Sequence, residues 1–210
     1  MDKLIKNSAT DHKGLLLLKE TADFAYNPVK SEECKNGEIV VTGVIQRANA
    51  KNHNGRVYTK EILFPKIQKY IDEKVKLKKA YGELDHVDNT TVEFERVSHI
   101  FDDIWFEGDD VMGRVRILPT PKGNILKVFF DCGTTVGISS RAIGSVEQHS
   151  GANFVQDDLH IICWDFVTEP STHGANMFKE AREITEAELK KVLSREEFIQ
   201  DRIKRYLSGF

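Results

Sequence analysis

Three short stretches of this chain hold residues whose types and spacing could do chemistry. The first is Gly82-Glu83-Leu84-Asp85-His86-Val87-Asp88. A histidine among carboxylates can act as a general base presented from a loop, or can join Asp85 and Asp88 in a metal site. No second histidine follows at i+3 or i+4, and His99 is distant in sequence. An ordinary charged surface loop would read the same way. The second stretch is Val136-Gly137-Ile138-Ser139-Ser140-Arg141-Ala142-Ile143-Gly144-Ser145. In a strand, alternation puts Val136 and Ile138 on one face and Ser139 and Arg141 on the other, with Gly137 leaving space beside Ser139. A serine on an open face, next to a cation, suits a nucleophile whose oxyanion needs donors. It is not a G-x-S-x-G elbow, and a plain strand hydroxyl is the alternative.

The third stretch is Ile161-Ile162-Cys163-Trp164-Asp165-Phe166-Val167-Thr168-Glu169-Pro170-Ser171. Asp165 stands inside an apolar strand, where a carboxylate is costly unless hydrogen-bonded or paired. A histidine ring is one such partner, and the pairing would fix that ring's tautomer. Backbone donors near a strand end are the other solution. His86, Ser139 and Asp165 together would supply base, nucleophile and orienter, a trio that many sequences contain without using it.

These residues need elements to bring them together. Residues 1–37 read as an arm with no sustained period. Glu38 to Gln46 is rich in β-branched residues and reads as a strand, followed by an Asn-dense loop through Arg56. Thr59 is placed to cap a helix with Ile62, Leu63, Ile67, Tyr70 and Ile71 on one stripe, ending in a solvated Lys-rich stretch at 74–79. Val92 to Phe106 and Asp110 to Leu118 read as strands joined by a turn at Glu107-Gly108-Asp109. A short helix fits Lys122 to Cys132, with Ile125, Leu126 and Phe129 inward and Gly133 as its stop. Strands follow over Thr134–Val146 and Asn153–Thr168. Thr185-Glu186-Ala187-Glu188 has capping-box spacing and opens a charged helix to about Leu207. Strands without a regular βαβ alternation argue for an antiparallel barrel or sandwich decorated by helices.

Composition narrows the class. The chain has 210 residues, with hydrophobic residues at 40% and charged residues at 30%, as expected of a soluble globular protein. The net charge is −3 and the sequence pI about 6.2, which speaks against a direct nucleic-acid role. The longest aliphatic run, Leu15 to Leu18, is far too short to span a bilayer. Cys34, Cys132 and Cys163 form no CxxC pair. They suggest a reducing, cytosolic setting, with Cys132 and Cys163 as small core residues.

The motifs also carry a resemblance. Asn52-His53-Asn54-Gly55-Arg56-Val57-Tyr58, Gly82-Glu83-Leu84-Asp85-His86, Gly113-Arg114-Val115-Arg116-Ile117-Leu118, the Val136–Ser145 block and Asp165-Phe166-Val167-Thr168-Glu169-Pro170-Ser171 occur in that order. Over roughly residues 38–172 the chain resembles the prohead core (maturation) proteases of T-even-type phages, relatives of the herpesvirus assemblin proteases. The resemblance implies a serine endopeptidase that cleaves scaffold, core and capsid proteins inside the immature head, within the infected bacterial cytoplasm. It implies an assemblin-like closed antiparallel β-barrel surrounded by α-helices. The corresponding organisation is an arm and possible pro-segment at 1–37, a protease domain at 38–178 and a C-terminal helical segment at 179–210. The family histidine and serine fall on His86 and Ser139. The third member varies, and Asp165 is the acidic choice here. Ser140 and Arg141 are the candidate oxyanion donors, through a backbone N–H or the guanidinium.

Family members cleave after Glu with Leu or Ile upstream, so Glu20 and Glu196 are candidate self-cleavage sites. A homo-oligomer is expected, with no cofactor, metal or membrane. Val87 stands where the family often has Pro, and Ile143 where it commonly has Leu; neither touches the chemistry. Two other classes compete: a scaffold or capsid component that keeps the fold without turnover, and a metal-dependent hydrolase using Asp85, His86 and Asp88.

Overall fold

The computed structural model describes residues 16–22, 27–28, 39–134, 136–149 and 151–167, together with Leu193 and Glu197. In chain order the strands are β1 (Leu16–Ala22), β2 (Asn27–Pro28), β3 (Val40–Arg47), β4 (Arg56–Val57), β5 (Tyr81–Glu83), β6 (Val97–Glu107), β7 (Asp110–Ile117), β8 (Gly137–Gly144), β9 (Val146–His149), β10 (Ala152–Val155) and β11 (His160–Val167). Helix α1 (Lys60–Tyr70) runs on into a π-helical turn (Ile71–Val75), and α2 is Pro121–Asp131.

Local sequence accounts for most of these elements. β7 alternates strictly, with Val111, Gly113, Val115 and Ile117 buried between half-exposed neighbours, as a strand with one core face must. Gly108 takes φ +63° in the turn between β6 and β7, a conformation that suits glycine. The N-cap of α2 is Thr120, whose Oγ accepts the Gly123 N–H at 3.0 Å and donates to the Val97 carbonyl. Gly133 follows α2 with φ +68° and stops it. Thr59 has the extended backbone of an N-cap but makes no side-chain cap bond.

Among the described residues the strands form three sheets, ordered β1-β8-β11, β4-β10-β9 and β2-β3-β7-β6-β5. Among the described residues none closes on itself, so the closed barrel expected above is corrected to a mainly β fold of separate sheets with two α-helices in that part of the chain. One of the seams at which these sheets would have to join lies between β5 and β11. There the strands share a single parallel bridge, Leu84 with Phe166. The Glu83 N–H goes to the Asp165 carboxylate rather than to a strand carbonyl. Asp85 then takes φ +62° and turns the chain away. The seam therefore serves a side-chain site, and no ladder extends across it.

The core packs Trp164, Phe166, Phe101, Ile138, Leu63 and Ile67 between these sheets and α1. β1 belongs to residues read above as an arm, yet its segment is a strand paired antiparallel along β8. The inward face of α2 also differs from expectation. Gly123, Leu126 and Phe130 are buried, while Ile125 and Phe129 are exposed at 45% and 41%. A side chain at 123 would strike the Leu118 and Ser98 carbonyls, so the helix seats on its glycine and its apolar stripe turns partly to solvent. Cys163 is buried as expected, but Cys132 is exposed. Cys34, Glu196 and nearly all of the expected C-terminal helix lie outside the described residues. Of that helix Leu193 is buried, and Glu197 pairs with Lys69 of α1. No described helix is long and apolar enough to cross a membrane.

Candidate active site

Two adjacent strands place two of the three candidates. In the β8–β11 ladder Ser139 stands opposite Asp165 and Arg141 opposite Cys163, all on the face turned from the main core. Ser140, opposite Trp164, points to the core side with Ile138 and Ala142. The alternation read from sequence is thus correct in sorting Ser139 and Arg141 from Ile138. The expected openness is not observed. Ser139 and Arg141 are completely buried, because the loop after β5 folds over this face and brings His86 with it.

The three candidate residues meet. His86 Nδ1 lies 2.9 Å from Asp165 Oδ2, and His86 Nε2 is hydrogen-bonded to Ser139 Oγ. Since a carboxylate only accepts, Nδ1–H donates to Asp165 and Nε2 is left to accept the Ser139 hydroxyl proton. Both ring nitrogens are thereby occupied. Asp85 is exposed, and Asp88 pairs with Lys19 of β1 at 3.8 Å.

Asp165 is fully buried and heavily bonded. Its Oδ1 accepts the Glu83 N–H at 3.0 Å and the Cys163 Sγ–H at 3.2 Å. Arg141 Nη2 reaches the same oxygen at 3.2 Å, and Arg141 Nε stands 3.0 Å from Oδ2. That last approach lacks hydrogen-bonding alignment, so it is coulombic. Burial alone would raise the Asp165 carboxyl, but the His86 bond, the Arg141 charge and the Glu83 N–H outweigh it and hold it below the ordinary range.

Arg141 is not aimed at an open cleft. Its Nη2 pairs with Glu83 Oε2 at 2.7 Å, and its Nη1 donates to the Asn89 carbonyl at 3.0 Å. Burial opposes its charge, but Asp165 and Glu83 raise its pKa. Cys163, kept a thiol by burial, adds no charge. Ser140 Oγ is buried and has no hydrogen-bond partner among the described residues. The Arg141 guanidinium is thus engaged by Glu83, Asp165 and the Asn89 carbonyl, and the Ser140 side chain lies on the core side of β8. The Glu83–Arg141 pair was not read from sequence as part of the site. Its signal was present, since each residue adjoins or lies within a stretch already singled out.

Behind the site, His99 Nε2–H donates to the Trp164 carbonyl at 3.0 Å and Nδ1 accepts from Ser98 Oγ. Burial lowers His99 to about 4, so it is neutral. At the front, β1 lies along β8 with Thr21 opposite Ser139 and Glu20 opposite Ser140. The Asn52–Arg56 loop grips β1. Asn54 Nδ2 donates to the Lys19 carbonyl at 2.8 Å, and Arg56 Nη1 to the same oxygen at 3.4 Å.

The chain is similar to known proteins in sequence and in structure. Residues 16–189 match a family described as prohead core protein serine protease. The prohead core protein protease of Enterobacteria phage T4 is 32% identical over 154 residues, covering 71% of this chain and 72% of that protein. The solved structure of the bacteriophage T4 capsid assembly protease, gp21, aligns with a TM-score of 0.67 at 28% identity, covering 74% of this chain and 99% of that one.

Proposed function

The chain belongs to the prohead core protein serine protease family and is a protease, and from that premise we propose that it cleaves peptide bonds by acyl transfer at Ser139. The observation that carries this reading is the continuous chain Ser139 Oγ, His86, Asp165. His86 Nε2 takes the hydroxyl proton as Oγ attacks the scissile carbonyl. Asp165 holds the ring in the tautomer that leaves Nε2 available, and it stabilises the imidazolium. The imidazolium then gives its proton to the leaving amine, and water releases the acyl group by the reverse proton path. Backbone N–H groups near Ser140 and Arg141 are the proposed oxyanion donors.

The proposed substrates are core, scaffold and capsid proteins within the prohead, cut after Glu, with the enzyme working as a homo-oligomer in the prohead of an infected cell. Self-processing is part of the proposal, with residues 1–37 as an arm and pro-segment, 38–178 as the protease domain and 179–210 as a helical segment. The β1 register supports cleavage at Glu20, because residues 20 and 21 run beside the serine strand. Glu196 is the second proposed site.

The test is incubation of a core-protein substrate with wild type and with Ser139→Ala. Cleavage after Glu by wild type and none by Ser139→Ala is expected. Equal cleavage by both would overturn the proposal.

A further inference from the structure

The proposed triad leaves a buried ion pair, Glu83 with Arg141, unused. Arg141, with no exposed side-chain surface, bridges Glu83 at 2.7 Å and Asp165 at 3.0 Å. Glu83 is equally buried, and its Oε1 accepts the Glu93 N–H at 2.6 Å. Such a cluster is an expensive way to stabilise a fold, since taking ions from water costs several kcal/mol each before pairing returns it.

Its connections show what it holds. The loop that carries His86 leaves β5 at Glu83 and is fastened at four points. The Glu83 N–H bonds Asp165, Arg141 Nη1 bonds the carbonyls of Asn89 and Thr91 at 3.0 and 3.5 Å, and the Glu83 carboxylate bonds the N–H of Glu93. Both ends of the His86 loop and the Asp165 carboxylate thus hang on one ion pair.

The charge balance is equally specific. Arg141 beside Asp165 fixes that carboxylate but would oppose a second cation at His86. Glu83 offsets it. With neutral His86, the trio of Glu83, Asp165 and Arg141 sums to one negative charge; when His86 becomes an imidazolium the site is neutral. The other groups facing His86 do not upset this sum. Ser139 on β8 is uncharged, Cys163 on β11 is a thiol, and His99 on β6 is neutral. On its own loop Asp85 is exposed, and Asp88 is matched by Lys19 of β1.

We propose that Glu83 and Arg141 are positioning residues for proteolysis: their ion pair sets the place of Asp165 and of the His86 loop, and the Glu83 charge favours the imidazolium formed as Ser139 attacks. The inference rests on the triad reading above.

The test compares pH profiles of kcat/KM for full-length wild type, Glu83→Gln, Glu83→Asp and Ser139→Ala on one peptide substrate. Removing a negative charge makes the imidazolium harder to form. Glu83→Gln should therefore move the acid limb to lower pH by about half a unit or more. It should also lower kcat about tenfold or more, with KM little changed. Glu83→Asp keeps the charge and should keep the limb in place even if kcat falls. A Glu83→Gln enzyme with the wild-type limb and an inactive Ser139→Ala would overturn this inference alone. Activity retained in Ser139→Ala would instead overturn the triad reading. Should Glu83→Gln not fold, Arg141→Lys decides. A single ammonium lacks the planar fork that serves Glu83, Asp165 and the Asn89 carbonyl together, so kcat should fall at unchanged KM, and wild-type kcat would refute the positioning role.

Discussion

Replacing Gly82 with alanine perturbs the seam between β5 and β11, on which the site's geometry depends. A Cβ at residue 82 would stand less than 3.0 Å from both His99 Nε2 and the Trp164 carbonyl oxygen. These two atoms are bonded to each other at 3.0 Å, so the new carbon would wedge into an existing hydrogen bond. The Trp164 oxygen is backbone in a paired strand and cannot swing aside. Restoring a normal contact of about 3.5 Å requires β11 to move away from β5 by on the order of 1 Å, or His99 to give up its bond. Overpacking of this kind costs about 1–3 kcal/mol, and an orphaned buried polar group adds about 1–3 kcal/mol. Gly82→Ala should therefore lose about 2–6 kcal/mol, a large part of a typical domain's stability.

Trp164 is next to Asp165, and Gly82 is next to Glu83, so the same movement opens the Glu83–Asp165 bond. A displacement near 1 Å at a catalytic group can cost about 100-fold in rate. The assay pairs urea unfolding, followed by the fluorescence of buried Trp164, with cleavage of a peptide ending in Glu before the scissile bond. Unfolding free energy within about 0.5 kcal/mol of wild type, together with an unchanged kcat, would refute this account of the seam.

Asp165→Asn should fold but cut about 1,000-fold or more slowly, because an amide can hold His86 in the wrong tautomer; initial rates on the same peptide check this. Stability should fall as pH drops from 6.5 toward 4. His99 is lowered from 6.5 to about 4 by burial, so the unfolded chain binds its proton first, and the loss across that window is on the order of 3 kcal/mol. Asp165, held low, adds to the loss at still lower pH, whereas Glu83, raised by burial, offsets part of it. Urea unfolding at pH 7 and pH 5 should show this dependence, and it should be shallower in His99→Gln. Intact-mass analysis over time should show loss of residues 1–20 before any cut at Glu196, and neither in Ser139→Ala. A chain that stays whole while cutting other substrates would end the self-processing proposal.

What was legible in the sequence follows from what periodicity can carry. Strand alternation separates Ser139 and Arg141 from Ile138 because side-chain direction has a period of two. Asp165 stood out because a carboxylate in an apolar strand demands a partner, and His86 is that partner in space. Closure of the sheets could not be read that way. At the β5–β11 seam it turns on where single N–H groups at Glu83 and Asp85 are spent, and no residue type announces that. The face of α2 was misjudged for a related reason: Gly123 seats the helix by having no side chain, so hydrophobicity gives no signal at the contact that sets its rotation. Arg141 looked available for an oxyanion because alternation says which face a residue takes but not whether a loop will cover that face. β1 was hidden by its setting, since Leu15 to Leu18 sits among polar residues and becomes a strand by pairing with β8.

The most direct test of Ser139 as nucleophile is covalent. A chain that is turning over substrate should be treated with a fluorophosphonate and the adduct mapped by mass spectrometry, in wild type, His86→Ala, Ser139→Ala and Ser140→Ala. A single adduct on Ser139 is expected in wild type and in Ser140→Ala, with none in His86→Ala or Ser139→Ala. Modification of Ser140 in its place, or cleavage that continues in Ser139→Ala, would contradict Ser139 as nucleophile.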